Sequence, residues 1–188
     1  VGTNCLRYTV GGTNNTGIGT YCLDANTSGN YNTASGYGAL GSNTTASDNT
    51  AFGALSLTAN TTGTNNVGVG MQTLTGNTTG NYNTAVGNIA LLGNTSGDFN
   101  TAVGSHALDA NSAGDASTAV GYLALSSNTA SYNTAIGSYS MQASTSGASN
   151  AALGTFTLYN NTTGGQNTAI GYNAALKNTT GTRNTAVG

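Results

Sequence analysis

A glycine closing a short apolar segment recurs at Gly2, Gly19, Gly36, Gly53, Gly70, Gly87, Gly104 and Gly121, always 17 residues apart. After one 16-residue step it continues at Gly137, Gly154, Gly171 and Gly188. A fixed period of this kind constrains the fold more than any single residue does. Eleven units form one array over residues 1–188: 3–19, 20–36, 37–53, 54–70, 71–87, 88–104, 105–121, 122–137, 138–154, 155–171 and 172–188. Numbered 1 to 17 from the residue after each glycine, the unit reads x-x-small-L-x-x-N-T-T-G-x-x-N-T-A-[VI]-G. The short unit, 122–137, lacks the glycine of N-T-T-G, which marks that stretch as a turn.

The period excludes helical repeats, because an amphipathic helix needs apolar residues three and four apart and here they stand at 4 and 16 of 17. Two short extended segments per unit, about positions 13–16 and 1–4, joined at the closing glycine and by the N-T-T-G turn, describe one coil of an all-β solenoid, a β-roll or parallel β-helix. Eleven coils stacked at strand spacing make a rod of about 50 Å. Two inward columns are expected. One is the leucine column Leu23, Leu40, Leu57, Leu74, Leu91, Leu108 and Leu125; the other is the β-branched column at position 16, including Val86, Val103 and Val120. Thr at position 14 is expected to face the same way as position 16. Positions 3 and 15 are always small, which implies close approach of another backbone layer.

In such a stack equivalent residues lie over one another, so recurrent Asn predicts two ladders. One runs through Asn26, Asn43, Asn60, Asn77 and Asn94 at position 7, the other through residues such as Asn83 and Asn100 at position 13. Amide side chains at strand spacing hydrogen-bond along their column. Cys5 and Cys22 share position 3 of adjacent units, about 5 Å apart at Cα, within reach of a disulfide. The alternative is two small buried residues in a column otherwise filled by Ala, Ser and Thr.

Only 4% of residues are charged and the formal net charge is -2. Arg7, Lys177 and Arg183 are too few to form a basic face, so nucleic acid is not an expected partner. No run is long and apolar enough to insert in a membrane. His106 has no ligand-spaced partner, and Asp24 and Asp109 stand five units or about 24 Å apart, too far for a glycosidase pair. Asp98 and Asp115 stack at position 11, as a solvated pair or around a cation. No catalytic, cofactor or metal site is expected. Two features mark candidate contact surfaces. Tyr31, Tyr82, Phe99 and Tyr132 share position 12, suited to sugar rings or partner proteins, or simply to packing the turn. N-x-[ST] sequons at Asn26, Asn43, Asn60, Asn77, Asn94, Asn161 and Asn178 line one edge as possible glycosylation sites.

A single coil buries too few large apolar side chains to offset the ordering of its backbone. Burial of the small-residue face against other copies is therefore expected, in a homotrimer or an end-to-end fibre. Neither end of the array carries a distinct cap, so it is expected to continue in a longer chain. The N-T-A-V-G segments (residues 83–87 and 184–188), the N-T-A-I-G segments (133–137 and 167–171) and the A-L pairs that follow resemble the head repeats of YadA-like trimeric autotransporter adhesins. They are also similar to repeats of phage tail-fibre proteins. The unit here is longer than the adhesin one by its N-T-T-G turn. The resemblance implies a rigid non-catalytic rod of the cell surface or virion, extracellular, mediating attachment to surface glycans or a host-surface protein, or serving as a spacer. Alternatives are a self-assembling filament and an ice-binding β-solenoid. The last is disfavoured by placing the strand Thr inward.

Overall fold

The computed structural model describes residues 2–188. Each unit contributes one three-residue strand: β1 (Thr16–Ile18), β2 (Thr33–Ser35), β3 (Thr50–Phe52), β4 (Val67–Val69), β5 (Thr84–Val86), β6 (Thr101–Val103), β7 (Thr118–Val120), β8 (Thr134–Ile136), β9 (Ala151–Leu153), β10 (Thr168–Ile170) and β11 (Thr185–Val187). They form one parallel sheet in chain order. Register follows the period, Thr84 lying beside Thr101 and Val86 beside Val103. Across β7 and β8 the offset drops to 16, Thr118 pairing with Thr134, so the deletion leaves strand register untouched. The chain is thus a parallel β-solenoid.

Positions 1–4 form no second strand. The backbone there alternates hand, with Ile89 at φ 63° and Leu91 at φ 52°, and the same pattern recurs in every coil. Alternation aims successive amides in opposite directions along the rod: Ile89 donates to Met71 O of the preceding coil, and Leu91 to Ala107 O of the following one. The segment keeps inter-coil bonding while turning a corner. A left-handed non-glycine residue costs about 1–2 kcal/mol, and full burial of a Leu side chain contributes about as much or more. Leu91 and its stacked equivalents from Leu23 to Leu158 are fully buried. At the closing glycine no such exchange exists. Gly87 has φ 127°, and a Cβ there would lie 2.7 Å from the carbonyl oxygen of Gly104 in the next coil.

The inward β-branched column expected at position 16 is not inward. Val86 and Val103 are 36% exposed, Phe52 is 60% exposed, and Val120 is half-buried. Alternate strand residues face opposite sides, and from β2 to β10 it is the central Ala or Gly that is buried, half-buried in the two end strands. Both flanking residues, Thr at 14 and Val or Ile at 16, therefore face outward. The coil is too narrow for anything larger at position 15. A Cβ on Gly68 would meet the hydroxyls of Ser56 and Thr73, and one on Gly17 would meet the sulfurs of Cys5 and Cys22. Positions 3 and 15 thus pack on each other inside one chain, which is why both are small. The core consists of these two columns and the Leu column, with Met141 continuing it.

Candidate interaction surfaces

The Asn columns are internal. Asn77 Nδ2 donates to Asn60 Oδ1 (2.8 Å) and to Gly80 O at the end of its own turn (3.0 Å), while Asn77 Oδ1 accepts from Asn94 Nδ2 (2.8 Å). At position 13, Asn83 Nδ2 donates to Gly97 O of the following coil (2.8 Å), and Asn66 Oδ1 accepts from both the amide and the side chain of Asn83. Two donors and an acceptor at fixed reach are what Asn alone supplies here. Asp would bring no donors. These bonds overturn the glycosylation sites. Asn26, Asn43, Asn60, Asn77, Asn94 and Asn161 are fully buried, and Asn178 Nδ2 is engaged with Asn161 Oδ1 and Gly181 O. A glycan on Nδ2 would remove both the space and the donor.

A third ladder, absent from the sequence reading, runs at position 11. There a side-chain oxygen accepts the amide of the preceding coil, as Asn81 Oδ1 does from Thr64 and Ser131 Oγ from Asp115. Asp98 and Asp115 belong to it: Asp98 Oδ1 accepts from the Asn81 amide and Asp115 Oδ1 from the Asp98 amide. Backbone donors account for these carboxylates without a cation, and no cluster of three metal-ligating side chains occurs among the described residues. Cys5 and Cys22 are joined in a disulfide that clamps the first coil to the second. Arg7 pairs with Asp24 and lies over the ring of Tyr8, 4.4 Å from its centroid. His106 Nδ1 sits 2.9 Å from Asp109 Oδ2. Both ion pairs lie on the outside, apart from each other and from any pocket-like concavity.

Two kinds of surface remain. The first is the outer face of the sheet. Ile18, Phe52, Val69, Val86, Val103, Ile136, Leu153 and Ile170 form a column of exposed aliphatic and aromatic side chains beside the position 14 column, which is Thr in most coils. The second is aromatic. At position 12, Tyr82 stacks on Phe99 with centroids 5.1 Å apart and planes within 4°; Tyr31 and Tyr132 are exposed elsewhere in that column.

A larger aromatic group was missed from sequence. Tyr139 and Phe156 stack at position 2 (5.0 Å, 12°), Tyr122 meets Tyr139 edge-on (5.4 Å), Tyr172 meets Phe156 edge-on (6.3 Å), and Tyr159 contacts both stacked rings. The signal was available, since Tyr139 and Phe156 are 17 residues apart just as Tyr82 and Phe99 are. What hid it was the expectation that positions 1–4 form a strand. In a strand, residues at positions 1, 2 and 5 do not share one side; around a left-handed corner they do. Comparison with known protein families, with curated proteins and with solved structures returned no match.

Proposed function

We propose that this chain is a non-catalytic shaft segment of an extracellular fibre or adhesin that associates with copies of itself, as a homotrimer or a longer fibre, and serves attachment or spacing at a surface. The outward aliphatic column carries the reading. An apolar strip of this length, broken only at Ser35, on a solvated chain marks an interaction surface. Its regularity favours an equally regular partner, another copy of the same rod. Eleven strands of three residues give a face of about 10 by 48 Å, or roughly 500 Å² per chain. Two such faces reach the lower end of specific interfaces, about 1,000 Å² in total. The contact surface differs from the sequence expectation. The small residues at positions 3 and 15 are used up inside each coil, so the Thr and Val columns of positions 14 and 16 take the role assigned to them. The Cys5–Cys22 disulfide fits an oxidising, extracellular compartment.

The test is sedimentation of the purified chain together with a variant carrying Val103→Lys, Val120→Lys and Ile136→Lys. The wild type is expected as a trimer or larger and the variant as a monomer with unchanged circular dichroism, because these side chains point away from the core. A folded wild-type monomer at micromolar concentration would remove the self-association.

One observation favours a second reading. The strand Thr column faces outward, against the inward placement that had counted against ice binding, and it forms with the position 16 column a two-column grid. In that reading the grid orders water, the chain is monomeric, and thermal hysteresis is present and is lost when Thr84, Thr101 and Thr118 are replaced by Tyr.

A further inference from the structure

We propose that the aromatic row Tyr122, Tyr139, Phe156 and Tyr172, with Tyr159 and Gln142 beside it, binds a neutral polysaccharide. The inference rests on the attachment reading and names where attachment occurs and to what. Three observations converge on it.

The first is the arrangement of the rings. Tyr139 and Phe156 stack along the rod axis, and Tyr122 and Tyr172 close the two ends edge-on. Tyr122 and Tyr172 are 46% and 67% exposed, so ring surface and phenol hydroxyls remain open to solvent. They lie three coils apart, a span of about 14 Å at strand spacing. A row of rings repeating with the coil suits a ligand that also repeats. Pyranose rings present C–H groups on one side, which pack on aromatic surfaces, and hydroxyls at their edge, which pair with tyrosine hydroxyls.

The second observation is electrical. No charged residue occurs between Asp115 and Lys177, so the middle of the row, Tyr139 and Phe156, sits in coils without charge; the nearest charges are the paired His106 and Asp109 in the coil before Tyr122 and Lys177 in the coil of Tyr172. An anionic polymer or a charged protein segment would leave its own charges without partners there. A neutral, hydroxyl-rich chain meets no such penalty. The neighbouring side chains are of matching kind: hydroxyls on Ser138 and Thr155 and amides on Gln142, Asn160 and Asn173.

The third is an unused acceptor. Gln142 Oε1 is buried and receives no hydrogen bond. Gln142 occupies position 5, which lies against position 2 of its own coil, as His106 with Asp109 and Phe156 with Tyr159 show. That places Gln142 beside Tyr139. Buried acceptors are rarely left unpaired without a reason. Turning outward toward the row, the Gln142 amide exchanges this unpaired buried position for a ligand hydroxyl.

The experiment is affinity electrophoresis of the native chain in gels containing mannan, dextran or a soluble β-glucan, with heparin as the anionic control. Migration is expected to be retarded by at least one neutral polysaccharide and not by heparin. In a Tyr122→Ala, Tyr172→Ala variant the affinity should fall about tenfold or more, two rings each contributing on the order of 1 kcal/mol. A Tyr8→Ala variant, which removes an exposed ring in the first coil outside both aromatic groups, should bind like wild type. No retardation by any neutral polysaccharide, retardation by heparin alone, or equal retardation of the Tyr122 and Tyr172 variant would overturn the site. Mass and circular dichroism on the same samples separate the two readings. An intact multi-chain rod that ignores sugars leaves the shaft standing and removes this inference, whereas a sugar-binding monomer removes self-association and keeps the site.

Discussion

The coils from residue 20 to 121 and those from 122 to 188 share one sheet and one register, yet their interiors are satisfied differently. In the first block the position 7 ladder runs unbroken from Asn26 through Asn43, Asn60, Asn77 and Asn94 to Asn111, each side chain donating to the one before. In the second it is interrupted. With the turn glycine missing, Asn128 donates to Ala130 O and accepts from Asn133 Nδ2 instead. Ser144 then stands where Asn would, its hydroxyl buried and without a partner, and the ladder resumes only between Asn161 and Asn178. At position 13 the substitution falls one coil earlier, Ser117 standing in place of Asn and still accepting the Asn133 amide through Oγ.

A second pair of sites makes the point at atomic scale. Ser56 and Thr73, stacked at position 3, hydrogen-bond to each other at 2.8 Å across Gly68, and Ser56 also donates to Gly68 O. Ser140 and Thr157 are the equivalent pair, but the residue between them is Ala152. There Thr157 turns to Gly171 O, and Ser140 Oγ is buried with no partner. One methyl group separates the two outcomes. The lesson is that backbone pairing holds the stack in register throughout, while side-chain ladders add stability only where every rung is present. Because each coil touches only its neighbours, a broken rung is tolerated locally.

Removing a rung from each block gives the largest test of this contrast. Asn77→Ala leaves Asn60 Oδ1 without a donor and one Asn94 Nδ2 hydrogen unpaired, while Gly80 O keeps Asn66 Nδ2; at about 1–3 kcal/mol per orphaned group it should lower stability by about 2 kcal/mol or more in urea unfolding. Asn161→Ala strands fewer groups, since Asn161 donates to Gly164 O and accepts from Asn178 only, and should be milder. Equal losses would show that the ladder contributes nothing beyond single bonds. Next in size is Gly68→Ala, which places a methyl 2.8 Å from Thr73 Oγ1 and against Ser56 Oγ. Overpacking and the broken hydroxyl pair should together cost about 1–3 kcal/mol by thermal melting. The smallest effect is a gain. Ser144→Asn should restore the missing rung and stabilise by about 1 kcal/mol, seen as slower amide exchange in the coils around residues 122–160.

Much of this was legible in the residues. Asn at positions 7 and 13 announced ladders because an amide repeated at strand spacing has little else to bond to. Leu at position 4 announced a core column, and the glycine lost from unit 122–137 marked the turn. Two readings failed for a common reason. Val86, Val103 and Val120 were placed inside because they are the largest apolar residues of their strands, and the aromatic row around Tyr139 was overlooked because its corner was taken for a strand. Both errors concern direction, which composition does not carry.

Period, in-register stacking and the strand at positions 14–16 follow from the sequence alone, whereas the second extended segment expected at positions 1–4 is a left-handed corner instead. Which side of each strand faces inward was decided only in the tertiary structure. Thr-Ala-Val alternates whichever way it is turned, and the hydrophobic effect by itself favours burying Val. The coil closes so tightly against position 3 that only Ala or Gly fits inside. Steric closure of the coil, acting on residues about a dozen apart in the chain, outweighs the apolar area of Val and leaves it on the surface.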